Sequence, residues 1–125
     1  MNGHKILVDT NIILYLLDGN KEISDKLSGK DVYISFISEL ELLSFSKLEQ
    51  EEIIHLLLNN CKIISYNEWI KESTIQIRKV NKLKLPDSNV LARAKFLDVP
   101  LFTGDKKLAK AKGVSDIILY EEKNT

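Results

Sequence analysis

The sequence predicts an α/β protein, a three-layer sandwich whose central parallel sheet of four to five strands is covered by helices. Two observations point there. Short, continuously apolar runs alternate with longer segments carrying helix caps and turn residues, the pattern of βα units. The first of these runs, Lys5-Ile6-Leu7-Val8, shows no alternation of polar and apolar residues, as a strand buried on both faces requires.

That first run is followed by Asp9-Thr10-Asn11, a turn and helix cap, and Ile12 to Leu17 then forms a helix ended by Asp18-Gly19-Asn20. A second helix is expected from Glu22 to Leu27, stopped by Ser28-Gly29, and Asp31 to Ile34 is the next strand. Ser35 to Leu48 reads as helix and Glu49 to Asn59 as another, with Glu49, Glu51 and Glu52 favourable in its first turn. Lys62 to Ser65 is a third strand. Asn67 caps a helix reaching Asn81, with Trp69, Ile70, Ile75, Ile77 and Val80 expected near its apolar side. Pro86 suits the first turn of a helix running to Leu97. Pro100 to Phe102 is a fourth strand, Lys106 to Ala111 a short helix and Val114 to Leu119 a last strand. The tail from Glu121 to Thr125 is expected to fray.

At 125 residues the chain is read as one domain over residues 1–125. A hydrophobic share of 44% with 29% charged residues is globular rather than disordered. Eighteen basic and 18 acidic residues balance to zero, so no overall field attracts a polyanion and any nucleic-acid site must be a local patch. Cys61, the only cysteine, excludes an intramolecular disulfide and a cysteine-based zinc site, and reads as a half-buried small residue. No apolar run is long enough to cross a membrane. The N-terminus enters its first strand without the apolar core of a signal peptide, which predicts a cytoplasmic protein.

In a parallel α/β sheet, ligands bind beyond the carboxyl ends of the strands. Asp9 follows the first strand, Asp105 stands three residues after Phe102, and Asp87 opens a helix entering the same region. Glu39 and Glu41 lie on the helix that starts at that rim. Clustered carboxylates repel unless cations neutralise them, and hard oxygen donors suit Mg²⁺ or Mn²⁺. Such a site can activate water against a phosphodiester. Taken singly, Asp9 and Asp87 read better as helix caps; the convergence of the acids on one rim argues for more. Residues two apart on a helix point about 200° apart, so Glu39 and Glu41 cannot both face one metal. Helical spacing alone leaves that choice open.

Four segments together resemble a known family. Val8 to Leu17 is similar to the opening of PIN domains, especially toxin nucleases of the VapC type, and Ile34 to Leu43 resembles their second motif. Leu85 to Ala94 resembles the third and Leu101 to Leu108 the fourth, in the family's order and across nearly the whole chain. The resemblance implies a PIN-like fold, with Asp9, Glu41, Asp87 and Asp105 as catalytic and metal-binding acids. It favours Glu41 over Glu39 and makes Thr103 a nearby polar ligand or supporting hydroxyl. Asn11 and Ser38 are expected to support these acids. Two departures stand out: Val90-Leu91-Ala92-Arg93 replaces a smaller, alanine-rich segment, and Gly104 stands where toxin members carry a polar or basic residue.

Basic runs flank two of the acids. Arg78, Lys79, Lys82 and Lys84 precede Asp87, and Lys106, Lys107, Lys110 and Lys112 follow Asp105. They are either solvated helical faces or phosphate contacts, with Lys84, Arg93, Lys106 and Lys107 the candidates for RNA phosphates. Sixteen lysines against two arginines favour charge-based phosphate contact over planar base reading. His4 and His55 carry no zinc spacing, and Tyr66 and Trp69 are expected in the core or an interface. Ile53, Ile54, Leu56, Leu57 and Leu58 are more apolar than one buried stripe needs, which predicts a homodimer through the helices between Glu49 and Val80.

The reading that follows is an Mg²⁺-dependent endoribonuclease, with Mn²⁺ as a substitute, acting as a toxin silenced by a small antitoxin. A chain consisting of the domain alone fits a toxin better than a processing enzyme with added modules. The alternatives are a non-catalytic RNA- or protein-binding PIN domain and a receiver-like phosphoacceptor module. The latter would leave Glu41 without a role.

Overall fold

The computed structural model describes residues 4–45, 48–114 and 116–122. The elements run β1 (Lys5–Val8), α1 (Thr10–Leu17), α2 (Lys21–Leu27), β2 (Asp31–Ser35), α3 (Phe36–Phe45), α4 (Leu48–Asn59) and β3 (Lys62–Ile64). They continue with α5 (Glu68–Asn81), α6 (Leu85–Leu97), β4 (Leu101–Thr103), α7 (Lys106–Ala109) and β5 (Ile117–Leu119). Each predicted element is present, with boundaries shifted at the ends. The last three residues of the tail expected to fray lie outside the described residues.

The five strands form one sheet in the order β3-β2-β1-β4-β5, with every neighbouring pair parallel. Successive side chains in a strand point to opposite faces, and the core divides accordingly. Ile6, Val8, Ile34 and Phe102 face α1 to α4, packing with Ile12, Ile13, Ile23, Leu42, Ile54 and Leu58. Leu7, Tyr33 and Leu101 face the other side, with Ile70 and Ile77 of α5, Val90, Leu91 and Ala94 of α6, and Leu108 of α7. These are the two outer layers of the sandwich.

Local chemistry sets the breaks between elements. Asn20 and Asn67 cap α2 and α5 by accepting the N–H groups of Ile23 and Ile70. Helices α5 and α6 end on Lys82 and Asp98, both left-handed at φ 53° and 55°. A bend of that kind closes a helix at a cost that packing on either side must offset.

The apolar run in α4 divides between layers and solvent: Ile54 and Leu58 are in the core, whereas Ile53 and Leu56 are 57% and 61% exposed. The apolar side expected for α5 is corrected in the same way. Ile70, Ser73, Thr74 and Ile77 are buried, while Trp69, Ile75 and Val80 are exposed. Trp69 and Tyr66 are thus surface residues, and Trp69 packs against Phe96 with ring centroids 5.4 Å apart. Among the described residues, no helix is long and apolar enough to cross a membrane.

Candidate active site

The chain leaves β1 toward β2 and β3, then returns through α5 and α6 on the opposite face to β4, beside β1. Strand order therefore reverses between β1 and β4. Such a point opens a crevice at the carboxyl ends of the strands, because the two connections depart to opposite faces. Asp9 follows β1 and Thr103 ends β4 at that crevice.

Asp9 is the cap of α1. Its Oδ1 accepts the Thr10 N–H at 2.8 Å and its Oδ2 accepts the Thr103 hydroxyl at 2.9 Å, while its own N–H donates to Phe102 O at 3.0 Å. The Thr103 hydroxyl in turn accepts the Asp105 N–H at 3.1 Å. Asp105 caps α7 through the Lys107 N–H at 2.8 Å. One threonine thereby ties the first acid to the fourth. Asn11 Oδ1 accepts the Gly104 N–H at 3.0 Å and so fixes the loop between them. Glu41 arrives from α3, held by the Thr10 hydroxyl at 2.9 Å. Asp87 sits in the first turn of α6, whose cap position, Lys84, makes no side-chain hydrogen bond. Asp87 is therefore no helix cap, whereas Asp9 and Asp105 are.

The electrostatics join all four acids. Burial raises the Asp9 carboxyl above its ordinary range, and repulsion from Asp87 and Glu41 adds to this; the bonds from Thr103 and Thr10 oppose it. Asp87 is raised by burial and then by repulsion from Asp105 and Glu41, with Lys84 and Lys107 pulling the other way. Glu41 thus acts on both aspartates. Glu39 is absent from the groups acting on either.

A family model described as "PIN domain" matches residues 6–114. The chain belongs to the PIN-domain family. Solved structures agree: the chain matches a toxin-antitoxin complex from Klebsiella pneumoniae with a TM-score of 0.83 and 31% identity, covering 94% of this chain and 99% of that one. It also matches FitAcB from Neisseria gonorrhoeae, at TM-score 0.76 and 24% identity over 90% and 96% of the two chains. VapBC2 from Rickettsia felis, solved bound to a DNA fragment from their promoter, matches at TM-score 0.80 and 18% identity over 94% and 99%. The last two show the fold alone. No curated protein matches the chain.

PIN domains are generally nucleases that use a divalent metal, and the donor set of this PIN domain fits such an ion. It is made of carboxylate and hydroxyl oxygens, the hard donors that Mg²⁺ and Mn²⁺ take. Burial is the main reason that Asp9 and Asp87 are raised, and the mutual repulsion that adds to it is what a cation would relieve. Among the described residues, no three acids, histidines or cysteines close into a ready-made metal cage. The acids form an open, electrostatically coupled group.

Of the candidate phosphate contacts, Lys84, Lys106 and Lys107 are exposed at the rim, and Lys84 and Lys107 act directly on Asp87. Arg93 is a correction. It is 0% exposed, its Nε donates to Ile64 O at 2.9 Å and its Nη1 donates to Asn89 Oδ1 and O. Burial lowers its pKa, and it cannot reach a phosphate from the interior. The rest of the Val90–Arg93 departure is buried with it, so that segment fills the core instead of touching substrate. The Gly104 departure lies over Asn11 and Tyr15, where an added Cβ would meet both at 3.5–3.6 Å, an ordinary contact.

Two residues of the site were not anticipated from sequence: Thr10, which contacts two acids, and Ser35, which accepts the Ser38 N–H at 3.0 Å. The available signals were the position of Thr10 beside Asp9 and the three-residue spacing of Ser35 and Ser38, that of a cap and its N–H donor.

Proposed function

We propose that this PIN domain is a divalent-metal-dependent endoribonuclease and the toxin of a toxin–antitoxin pair. The observation that carries the nuclease reading is the coupling of Asp9, Glu41, Asp87 and Asp105 at the crevice between β1 and β4. These four side chains would hold Mg²⁺, or Mn²⁺ in its place. When bound, the metal supplies activated water and charge stabilisation at the leaving oxygen of a phosphodiester. Thr103 holds Asp9 and the Asp105 loop in register, so that two acids from different strands keep a fixed separation. Lys84, Lys106 and Lys107, exposed at the rim, would neutralise backbone phosphates of an RNA strand. The toxin reading draws on the 31% identical chain, which was solved in a toxin-antitoxin complex. A small antitoxin is accordingly the proposed protein partner, and a homodimer the proposed assembly.

Purified protein is expected to cleave RNA with Mg²⁺ or Mn²⁺ and to stop in EDTA. Asp9→Asn keeps the cap geometry, because asparagine is as good a cap as aspartate. It should lower cleavage by about 100-fold or more while leaving the fold intact. In cells, wild type should arrest growth and Asp9→Asn should not. Cleavage that persists in chelator would remove the metal mechanism, and full activity of Asp9→Asn would remove Asp9 from the site.

A further inference from the structure

Three hydroxyls behind Glu41 are connected in one direction. The Thr10 hydroxyl lies 2.9 Å from both Glu41 Oε1 and Ser38 Oγ, and Ser38 Oγ lies 3.2 Å from Ser35 Oγ. A hydroxyl has one proton to give, and a carboxylate only accepts. The Thr10 proton therefore goes to Glu41, the Ser38 proton to Thr10 and the Ser35 proton to Ser38. The Ser35 oxygen accepts the Ser38 N–H at 3.0 Å, which closes the chain at its far end. All three residues are buried, so water does not compete for the bonds among them, and the bond on to Glu41 is partly buried. They come from three elements: Ser35 ends β2, Ser38 lies on α3 and Thr10 begins α1.

We infer that the Ser35–Ser38–Thr10 chain fixes the Glu41 carboxylate beside Asp9, which makes Thr10 a positioning residue for metal binding. Thr10 has this role twice over, since its N–H holds Asp9 Oδ1 and its hydroxyl holds Glu41 Oε1. Asp9 is anchored by the fold of β1 and the cap of α1, but Glu41 reaches the crevice from α3 on a long, rotatable side chain. Without the Thr10 hydroxyl it has no anchor from the β1–α1 corner. Groups that orient metal ligands commonly change metal affinity by about 10- to 100-fold when removed. The inference rests on the metal reading proposed above and adds which residues preorganise it.

The test is Mn²⁺ titration of purified protein by calorimetry, without RNA, beside thermal melting. Thr10→Val should weaken Mn²⁺ binding by about tenfold or more, and Thr10→Ser, which keeps the hydroxyl, should recover most of it. Ser38→Ala should fall between them, and it carries the comparison if Thr10→Val does not fold. In a Glu41→Gln background the Thr10→Val change should have little further effect, because the two act through one contact. Wild-type affinity in both Thr10→Val and Ser38→Ala overturns the inference while leaving the metal reading standing. So does a Thr10→Val loss that is undiminished in the Glu41→Gln background. A wild-type protein that binds no Mn²⁺ overturns both.

Discussion

At the scale of single residues, the acids differ in what the fold asks of them. Asp9 and Asp105 cap helices as well as lining the crevice, whereas Asp87 makes no cap bond and gives the fold little in return for its charge. Its carboxyl is raised above the unfolded value of 3.8, through burial first and then repulsion from Asp105 and Glu41. Between 3.8 and that raised value, the folded state binds more protons than the unfolded one. Stability contributed by Asp87 is then greatest at acid pH and is lost as pH rises through the folded value. Asp87→Asn should therefore melt at higher temperature than wild type at pH 7, and the difference should shrink as pH falls toward 3.8. The dipole of α6 opposes this by about 0.3–1 kcal/mol, since Asp87 lies in its first turn. A melting difference that stays constant or reverses with pH would show that the dipole and Lys84 outweigh burial and repulsion. Saturating Mg²⁺ should narrow the gap by stabilising wild type more than the variant. Asp9, Asp87 and Asp105 were legible in sequence because each follows a strand or opens a helix; Glu41, in the middle of α3, was singled out from Glu39 only by the family resemblance. Thr10 and Ser35 were not legible, because a buried hydroxyl reveals its role only through the partners that tertiary packing brings.

At the scale of elements, α6 shows why helical faces were harder to read than helical boundaries. Caps and prolines are local signals, so the start of α6 at Leu85-Pro86 and its end near Leu97 could be placed from sequence. The buried face could not, because α5 and α6 meet through small and polar groups: Ser73 and Thr74 are buried, and the Asn89 amide donates to the Thr74 hydroxyl at 3.2 Å. Counting apolar residues assigned Trp69, Ile75 and Val80 to the apolar side of α5, and Arg93 was read as a candidate phosphate contact. Arg93 instead crosses from α6 to the end of β3, where its Nε bonds the Ile64 carbonyl. Among the described residues, its Nη2 and the Ser73 hydroxyl are the buried side-chain atoms left without a hydrogen-bond partner. The guanidinium is imperfectly satisfied, yet it fills a large buried volume and serves acceptors on two elements. Arg93→Ala should accordingly destabilise the fold by about 2–4 kcal/mol through the cavity and the orphaned carbonyl and amide oxygens. Denaturant unfolding measures this; a loss below about 0.5 kcal/mol, typical of surface sites, would mean that the side chain can leave the interior.

At the scale of the whole molecule, strand-to-helix alternation made the parallel sheet readable, but the strand order came only with the structure. That order puts the reversal at β1 and β4, where the acids gather, and leaves β3 at one edge. Helix α4 packs beside β3 at this edge, and the flank they form is apolar: Ile53, Leu56 and Ile63 are all exposed. A helix covering one face of a sheet needs one apolar stripe, which Ile54 and Leu58 already supply. The second stripe is surplus to the monomer, and it adjoins an edge strand, which is itself prone to association. The proposed homodimer is therefore expected at the α4–β3 flank, with the purified protein sedimenting as a dimer at tens of micromolar. Exposed Glu51 and Glu52 border the apolar residues, and two copies meeting there bring like charges together. Association should then strengthen with salt, by screening this repulsion and by favouring apolar burial; an interface held by ion pairs would weaken. Leu56→Lys should shift the population to monomer without lowering the melting temperature, because Leu56 is 61% exposed and contributes little to the core. A wild-type protein that sediments as a monomer at that concentration rejects self-association, and a dimer unmoved by Leu56→Lys places the contact on another face.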